Sequence, residues 1–426
     1  MKLNVREDGA SPIPAPMRRL LGKRTGLIRD VHINSADRDD PDIVSTQPQR
    51  ANIETLLSGF EGELSFGAGG KGRTLTSSMA RCVGEVVERY CSCFPAKDAL
   101  RSGSYAELTD RGLNLVDLES LQLYDDKQYR RMSRLGVVER AFNENLELHW
   151  CEGTNLITGE SVFIPAQLVY IWAATNHSTC FVGNSNGLAA GPSLQTALRS
   201  SILEVIERDS FMRTWFNETP TASVTPAELR QIVPLKRELE NDVLEFHFFR
   251  FESDTDIHTI GCAGVSTVDS VPKFVLGGAA STNKSEAIQD ALLEAAQGWQ
   301  YAKYLAMRYT ATEIDRDSIT DFERNVAYFS HPDNFDEVRF LLDGKPTTTH
   351  GCDIDPELRA IIDHLSSKNY TPIAFDLTTR DIHEIGLTVT KVWIPELVSL
   401  SLPSFPPVLH PSLSGSAVDR LPHPYP

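Results

Sequence analysis

The 426-residue sequence predicts an α+β protein of mixed β-sheets and helices, with three loop–helix repeats carrying acids. Two observations predict it. Runs rich in β-branched and aromatic residues end in glycine or serine and lead straight into helical patterns. Three of the resulting units also align with one another: GKGRTLTSSMARCVGEVVERYC (70–91), SNGLAAGPSLQTALRSSILEVIERDSF (185–211) and GGAASTNKSEAIQDALLEAAQGW (277–299). Matched on Glu85, Glu204 and Glu294, they place Glu88, Glu207 and Gln297 three residues on. Ser78, Ala197 and Ala287 fall seven residues before the first acid.

In chain order, residues 1–64 are polar and proline-rich, and are expected to be an irregular segment packed on the main body, apart from a short strand at 25–33. The first acid helix spans 75–94. Residues 104–124 mix helix and loop. Residues 139–171 carry two strands and a turn at Thr158-Gly159. The second acid helix runs over 194–216 behind Pro192 and Ser193, a start signal. Strands follow at 242–252, 258–268 and 272–281, the last ending in glycines ahead of the third acid helix at 284–308. A helix at 356–370 and strands at 371–379 and 386–398 complete the body, 65–400. Residues 401–426 form a proline-rich tail ending PHPYP.

A hydrophobic content of 41% fits a soluble protein with a substantial core, and the N-terminus reads as a cytoplasmic start. No run of 18 apolar residues exists, so no membrane span is expected. A net charge of −17 argues against non-specific nucleic-acid binding, which needs Lys and Arg against phosphates. Seven scattered cysteines suit neither a disulfide framework nor a zinc site.

A lone ExxER on an amphipathic helix ordinarily faces solvent. Here the acid faces run into Phe211 and Trp215 on the second helix, and into Tyr301 and Leu305 on the third, so both sides of these helices are expected to be buried. Buried carboxylates need compensation, from arginine or from a bound cation. Mg²⁺ suits them because it is shared between carboxylates and substrate phosphates. Arg89 and Arg208 follow four residues after Glu85 and Glu204, placed to pair with phosphate oxygens. Lys71, within Gly69-Gly70-Lys71-Gly72, sits in a segment like a phosphate loop but without the full GxxxxGK[ST] spacing. Ser185-Asn186-Gly187 is either an ordinary turn or a set of donors for a ligand.

Taken together, GEVVERY (84–90), NSNGLAAG (184–191) with LEVIERDSF (203–211), ALLEAAQ (291–297) and DLTTRDIHEIGLTVTKVWIPEL (376–397) resemble the YcaO-domain family, whose members activate backbone amides with ATP. The resemblance covers about residues 65–400. It implies a YcaO-type ATP-binding fold, with Glu85, Glu88, Glu204 and Glu207 holding Mg²⁺ against the triphosphate. Arg89 and Arg208 would neutralise phosphate, and Ser185, Asn186, Glu294 and Gln297 would complete the nucleotide site. The first motif often has Ser four residues before its first Glu. Here that position is Arg81, which would itself meet phosphate, with Ser77 and Ser78 close by, so Lys71, Ser78 and Arg81 join the candidates for the nucleotide site.

The PHPYP ending is similar to the PxPxP tail of the azoline-forming cyclodehydratases of microcin-type synthetases. By composition alone it reads as a disordered tail. With the motifs upstream, the resemblance brings Pro426 to the active site as base or organiser, and makes His423 a candidate proton carrier. It implies ATP-dependent conversion of Cys, Ser or Thr in a ribosomally made precursor peptide to thiazolines or oxazolines. Its rivals are thioamide or macroamidine formation, and a non-catalytic scaffold subunit. The implied partners are the precursor peptide, an E1-like or winged-helix leader-binding protein and, for azoles, a flavin dehydrogenase. A homodimer within a larger synthetase is also implied.

Overall fold

The computed structural model describes residues 13, 15–34, 36–51, 68–93, 95, 99–171, 179–309, 314–346, 353–413 and 422–425. Three sheets organise it. A three-stranded antiparallel sheet runs Ile28–Asn34, Val44–Arg50, Gly70–Gly72. A six-stranded sheet runs Leu100–Gly103, Leu148–Asn155, Ile373–Asp376, Thr388–Trp393, Leu188–Gly191, with Ser161–Pro165 also paired to Leu148–Asn155. A five-stranded sheet runs Phe274–Ser281, His258–Ser266, Leu244–Arg250, Ala222–Ser223, Lys345–Pro346, its last pair parallel.

Each acid helix follows a strand of a different sheet. Gly70–Gly72 leads into Leu75–Cys91, Leu188–Gly191 into Leu194–Phe216, and Phe274–Ser281 into Lys284–Ala306. The three starts are chemically equivalent: the side chains of Thr74, Ser193 and Asn283 each accept the backbone N–H three residues on. The three caps lie eleven residues before Glu85, Glu204 and Glu294 respectively.

Sheet packing then fixes the helices. Val83, Val86 and Val87 of the first acid helix join Trp150, Phe375 and Val389 in the core of the six-stranded sheet. Ile288, Ala291, Leu292 and Trp299 of the third cover Phe246, Ile260 and Val275 of the five-stranded sheet. The second helix lies between these two sheets. Its Ile202, Val205 and Ile206 meet Val392 and Ile394, while Phe211, Trp215 and Phe216 enter an aromatic core with Phe249, Phe274 and Phe329. It is therefore covered on both sides, as its sequence predicts.

Two expectations are corrected. The N-terminal segment is not irregular: Val44–Arg50 is a strand that pairs with both Ile28–Asn34 and Gly70–Gly72. Residues 70–72 are likewise a strand rather than a phosphate-wrapping loop, because Val44, Ser45 and Thr46 supply a ladder for them. The six described cysteines are free and buried, and no described helix is long and apolar enough to cross a membrane.

Gly187 turns the chain into the Leu188–Gly191 strand at φ 65°, where a Cβ would press on the Val392 carbonyl oxygen. Gly187→Ala is expected to lower stability by ~1–3 kcal/mol, read as a lower urea midpoint with unchanged m-value.

Candidate functional site

The acids from the three helices form one cluster, and the way each is satisfied defines it. Glu85 accepts the Gly69 N–H at 2.8 Å, and Glu204 accepts the Leu188 N–H at 3.1 Å. In both cases the donor lies sixteen residues upstream, within or next to the strand feeding that helix. The second acids reach instead to the following unit. Glu88 accepts the Ala190 N–H at 2.9 Å, and Glu207 accepts the Ala280 N–H at 3.2 Å. The third unit returns to the first: Lys71 Nζ meets Glu294 at 2.7 Å, and the Gln297 amide lies against Gly69. The helix side chains thus close a ring through three sheets.

Arginine balances this charge. Arg89 donates to Glu85 at 3.0 Å, and Arg208 pairs with Glu204 at 2.5 Å. Arg208 also donates to Asn186 Oδ1 at 2.8 Å and reaches Ser185 Oγ at 3.5 Å. Asn186 is itself buried and spends its Nδ2 on the Leu400 carbonyl at 2.7 Å, which ties the arginine to the segment after the last strand. The Arg208 Nε is buried without a partner.

Burial dominates the titration. It pushes Glu88 up to about 8, with Arg89 opposing and Glu85 adding to the rise. Glu207 is pushed up to about 7 by burial and then by the charge of Glu294. Glu204 is also raised by burial, against the pull of Arg208 and Arg89. The ring holds more carboxylate than its arginines neutralise.

The tail reaches the same ring. Asn325 Nδ2 donates to the His423 carbonyl at 2.8 Å and the Tyr425 carbonyl at 3.1 Å. This clamp seats the Tyr425 ring against Gly278 and Phe211, and the phenol donates to Glu207. A Cβ at position 278 would collide with the phenol, so glycine is required there.

Of the residues the sequence singled out, Glu85, Glu88, Glu204, Glu207, Glu294, Gln297, Lys71, Arg89, Arg208, Ser185 and Asn186 come together. Three stand apart. Ser78 is fully buried against the Thr46 hydroxyl at 2.9 Å. Arg81 lies about half-exposed and pairs with Asp290 on the third helix at 3.3 Å. His423 is buried among Phe211, Phe216 and Phe322, with Nε2 on the Ser401 carbonyl at 3.0 Å. Burial holds its imidazole down at about 4. With one nitrogen committed to a carbonyl, the ring anchors the tail here, while its Nδ1 is buried without a partner. Pro426 lies outside the described residues.

Two site residues escaped the sequence reading. Tyr425 lay hidden in a segment whose composition says only "tail". Lys391 is 2% exposed in the Thr388–Trp393 strand, with Nζ on the Asn184 carbonyl at 2.7 Å, and burial pulls its ammonium down to about 7. Its signal was present: a lone lysine inside the apolar run TVTKVWI.

Comparison with known proteins agrees with this architecture. A family model described as YcaO cyclodehydratase, ATP- and Mg²⁺-binding, matches residues 69–398. An uncharacterized protein of Methanothermobacter thermautotrophicus is 25% identical over 354 residues, 80% of this chain and 84% of that one. Among solved structures, a heterocyclase in complex with substrate and cofactor superposes with a TM-score of 0.73 at 19% identity over 96% of this chain. The match spans only 57% of that heterocyclase. YcaO from Methanopyrus kandleri bound with AMPPCP and Mg²⁺ gives a TM-score of 0.61 at 21% identity, over 89% of this chain and 88% of that one. The E. coli microcin synthetase McbBCD complex with pro-MccB17 bound gives 0.59 at 12% identity, over 93% of this chain and 96% of the matched one.

Glu88 supplies a test. Its raised folded-state pKa means that its proton stabilises the fold fully below the unfolded carboxyl range, and that this stability is lost as pH rises through about 8. Protein free of nucleotide and Mg²⁺ is expected to lose stability between about pH 5 and pH 8. Glu88→Gln should flatten that slope and exceed the wild type at the upper end by ~1–3 kcal/mol, measured by urea titration at each pH.

Proposed function

The chain belongs to the YcaO family, and we propose that it cyclodehydrates Cys, Ser or Thr residues of a ribosomally made precursor peptide to thiazolines or oxazolines at the expense of ATP. Its cofactors are ATP and Mg²⁺. The observation that carries the reading is the closed ring of half-buried glutamates with two arginines at its edge, a pattern that a cationic and polyphosphate ligand would complete.

The residues present fit that ligand. Among the described residues no three His, Cys, Asp or Glu converge into a ready-made metal cage. Mg²⁺ does not require one, because it commonly takes one or two carboxylates and fills its octahedron with phosphate oxygens and water. Glu85, Glu88, Glu204 and Glu207 are the residues that would hold it. Bound there, Mg²⁺ would supply charge neutralisation to the phosphates. The unpartnered Nε of Arg208 and the excess buried carboxylate are what such a ligand satisfies.

In the proposed reaction, the Cys, Ser or Thr side chain adds to the preceding carbonyl carbon, and its proton is lost. The carbonyl oxygen, now anionic, takes the γ-phosphoryl group, and ADP leaves. The amide nitrogen then loses its proton, the C–O bond breaks, and C=N forms. The oxygen and both protons end on orthophosphate. This chain's residues act by position and charge. Arg89 and Arg208 face the phosphates, Asn186 holds Arg208 in place, and Tyr425 fixes Glu207. Lys71, Glu294 and Gln297 form the far end of the nucleotide site. A leader-binding partner and, for azoles, a flavin dehydrogenase belong to the same proposal. The likeness to a microcin synthetase complex supports such an assembly.

Purified chain with partner protein, precursor peptide, ATP and Mg²⁺ should convert peptide with loss of one water per ring and release of one ADP per ring. Glu88→Gln should abolish both. Exchange of one oxygen for sulfur in the product would instead establish thioamide chemistry, and turnover that survives Glu88→Gln would overturn the site. Asn325→Ala frees both tail carbonyls. It is expected to slow cyclisation roughly tenfold or more while ATP affinity changes far less, a kcat effect that separates tail positioning from nucleotide binding.

A further inference from the structure

A cavity of about 260 Å³ opens beside the two arginines. Arg89, Arg208 and Lys391 line it, and no Asp or Glu does. Its other walls are largely apolar, including Leu123, Leu168, Phe322 and Leu400. Among the described residues, Lys391 has no carboxylate at ion-pair distance. Its Nζ reaches only the two oxygens of Asn184. A buried lysine with no carboxylate in direct contact, beside two arginines, gives the pocket a wall that favours an arriving negative charge.

The cavity is smaller than the ~300–1,000 Å³ of ordinary small-molecule pockets, too small for a whole nucleotide. Lys71, Glu294 and Gln297 already mark the nucleotide's other end, on the three-stranded sheet and third helix. What meets the arginines from the cavity side is therefore the group that receives the phosphoryl. Resting on the function proposed above, we infer that this cavity is the subsite for the reacting peptide unit. Lys391 faces the amide oxygen that becomes anionic, and an uncharged side chain of the residue before the Cys, Ser or Thr fills the apolar wall. The rim makes the pocket selective: a Lys or Arg at that peptide position meets two guanidinium groups and the Lys391 amine.

The test uses the full chain loaded with AMPPCP and Mg²⁺, and the peptides acetyl-Ala-X-Cys-Ala-amide with X as Leu, Gln or Lys, measured by isothermal titration calorimetry. The Leu and Gln peptides should bind, with the Lys peptide ~10-fold or more weaker. Lys391→Met should shrink the Leu-to-Lys ratio at least ~3-fold; a merely structural lysine would weaken all three alike. Leu123→Trp, which fills the cavity, should abolish peptide binding with AMPPCP affinity unchanged. Equal binding of the Leu and Lys peptides, no peptide binding at all, or loss of AMPPCP affinity in Leu123→Trp would each overturn the subsite. Wild-type chain that binds no AMPPCP would instead overturn the nucleotide site itself.

Discussion

Bringing four half-buried glutamates together in one place is the constraint on which the rest of this structure depends. Isolated buried carboxylates are too unfavourable to keep, so each must find a donor. Helix side chains cannot provide enough of them. The donors here are backbone N–H groups at the ends of glycine-rich strands, and the geometry that delivers them is the same in each unit: strand, side-chain cap, helix, acid. Because Glu88 and Glu207 draw on the following unit, no strand–helix pair is self-sufficient. Three different sheets are held in register by their acids, and the apolar cores behind each helix make that register rigid.

The same arrangement sorts charge by side. Carboxylates gather where the strands end, and cations gather toward the segment following the last strand. On the proposed reading, a polyphosphate at this boundary would meet glutamates on one flank and guanidinium on the other. The third corner differs from the other two. Gln297 stands where an acid would be, and Lys71 offsets Glu294, so that corner is close to neutral. Such a difference gives a nearly threefold frame a direction, which an asymmetric ligand needs.

Much of this was legible in the sequence because it is local. The cap, the small residue seven before the acid and the acid pair are all within one helix, and helical periodicity reveals the faces. Phe211 and Trp215 at the end of the acid stripe are buried as expected, while Glu204 on the same stripe stays a quarter exposed. What could not be read was long-range pairing. Nothing in VSTQPQR says it is a strand until Gly70–Gly72 is beside it. Nothing in PHPYP says that its tyrosine, rather than its histidine, touches an acid. That choice is made by Asn325, about 100 residues away, and by the space left over Gly278. Arg81 shows the same limit: its spacing suits a ligand contact, and only the fold reveals that Asp290 of the third helix pairs with it.

Ring closure also has a temporal side. The contact between Lys71 and Glu294 joins residues 223 apart in sequence. Contacts of that separation are slow to form, since loop entropy is lost before they reward the chain. During synthesis the first two helices emerge well before their third partner. A growing polypeptide therefore cannot close the glutamate ring until Lys284–Ala306 has left the ribosome.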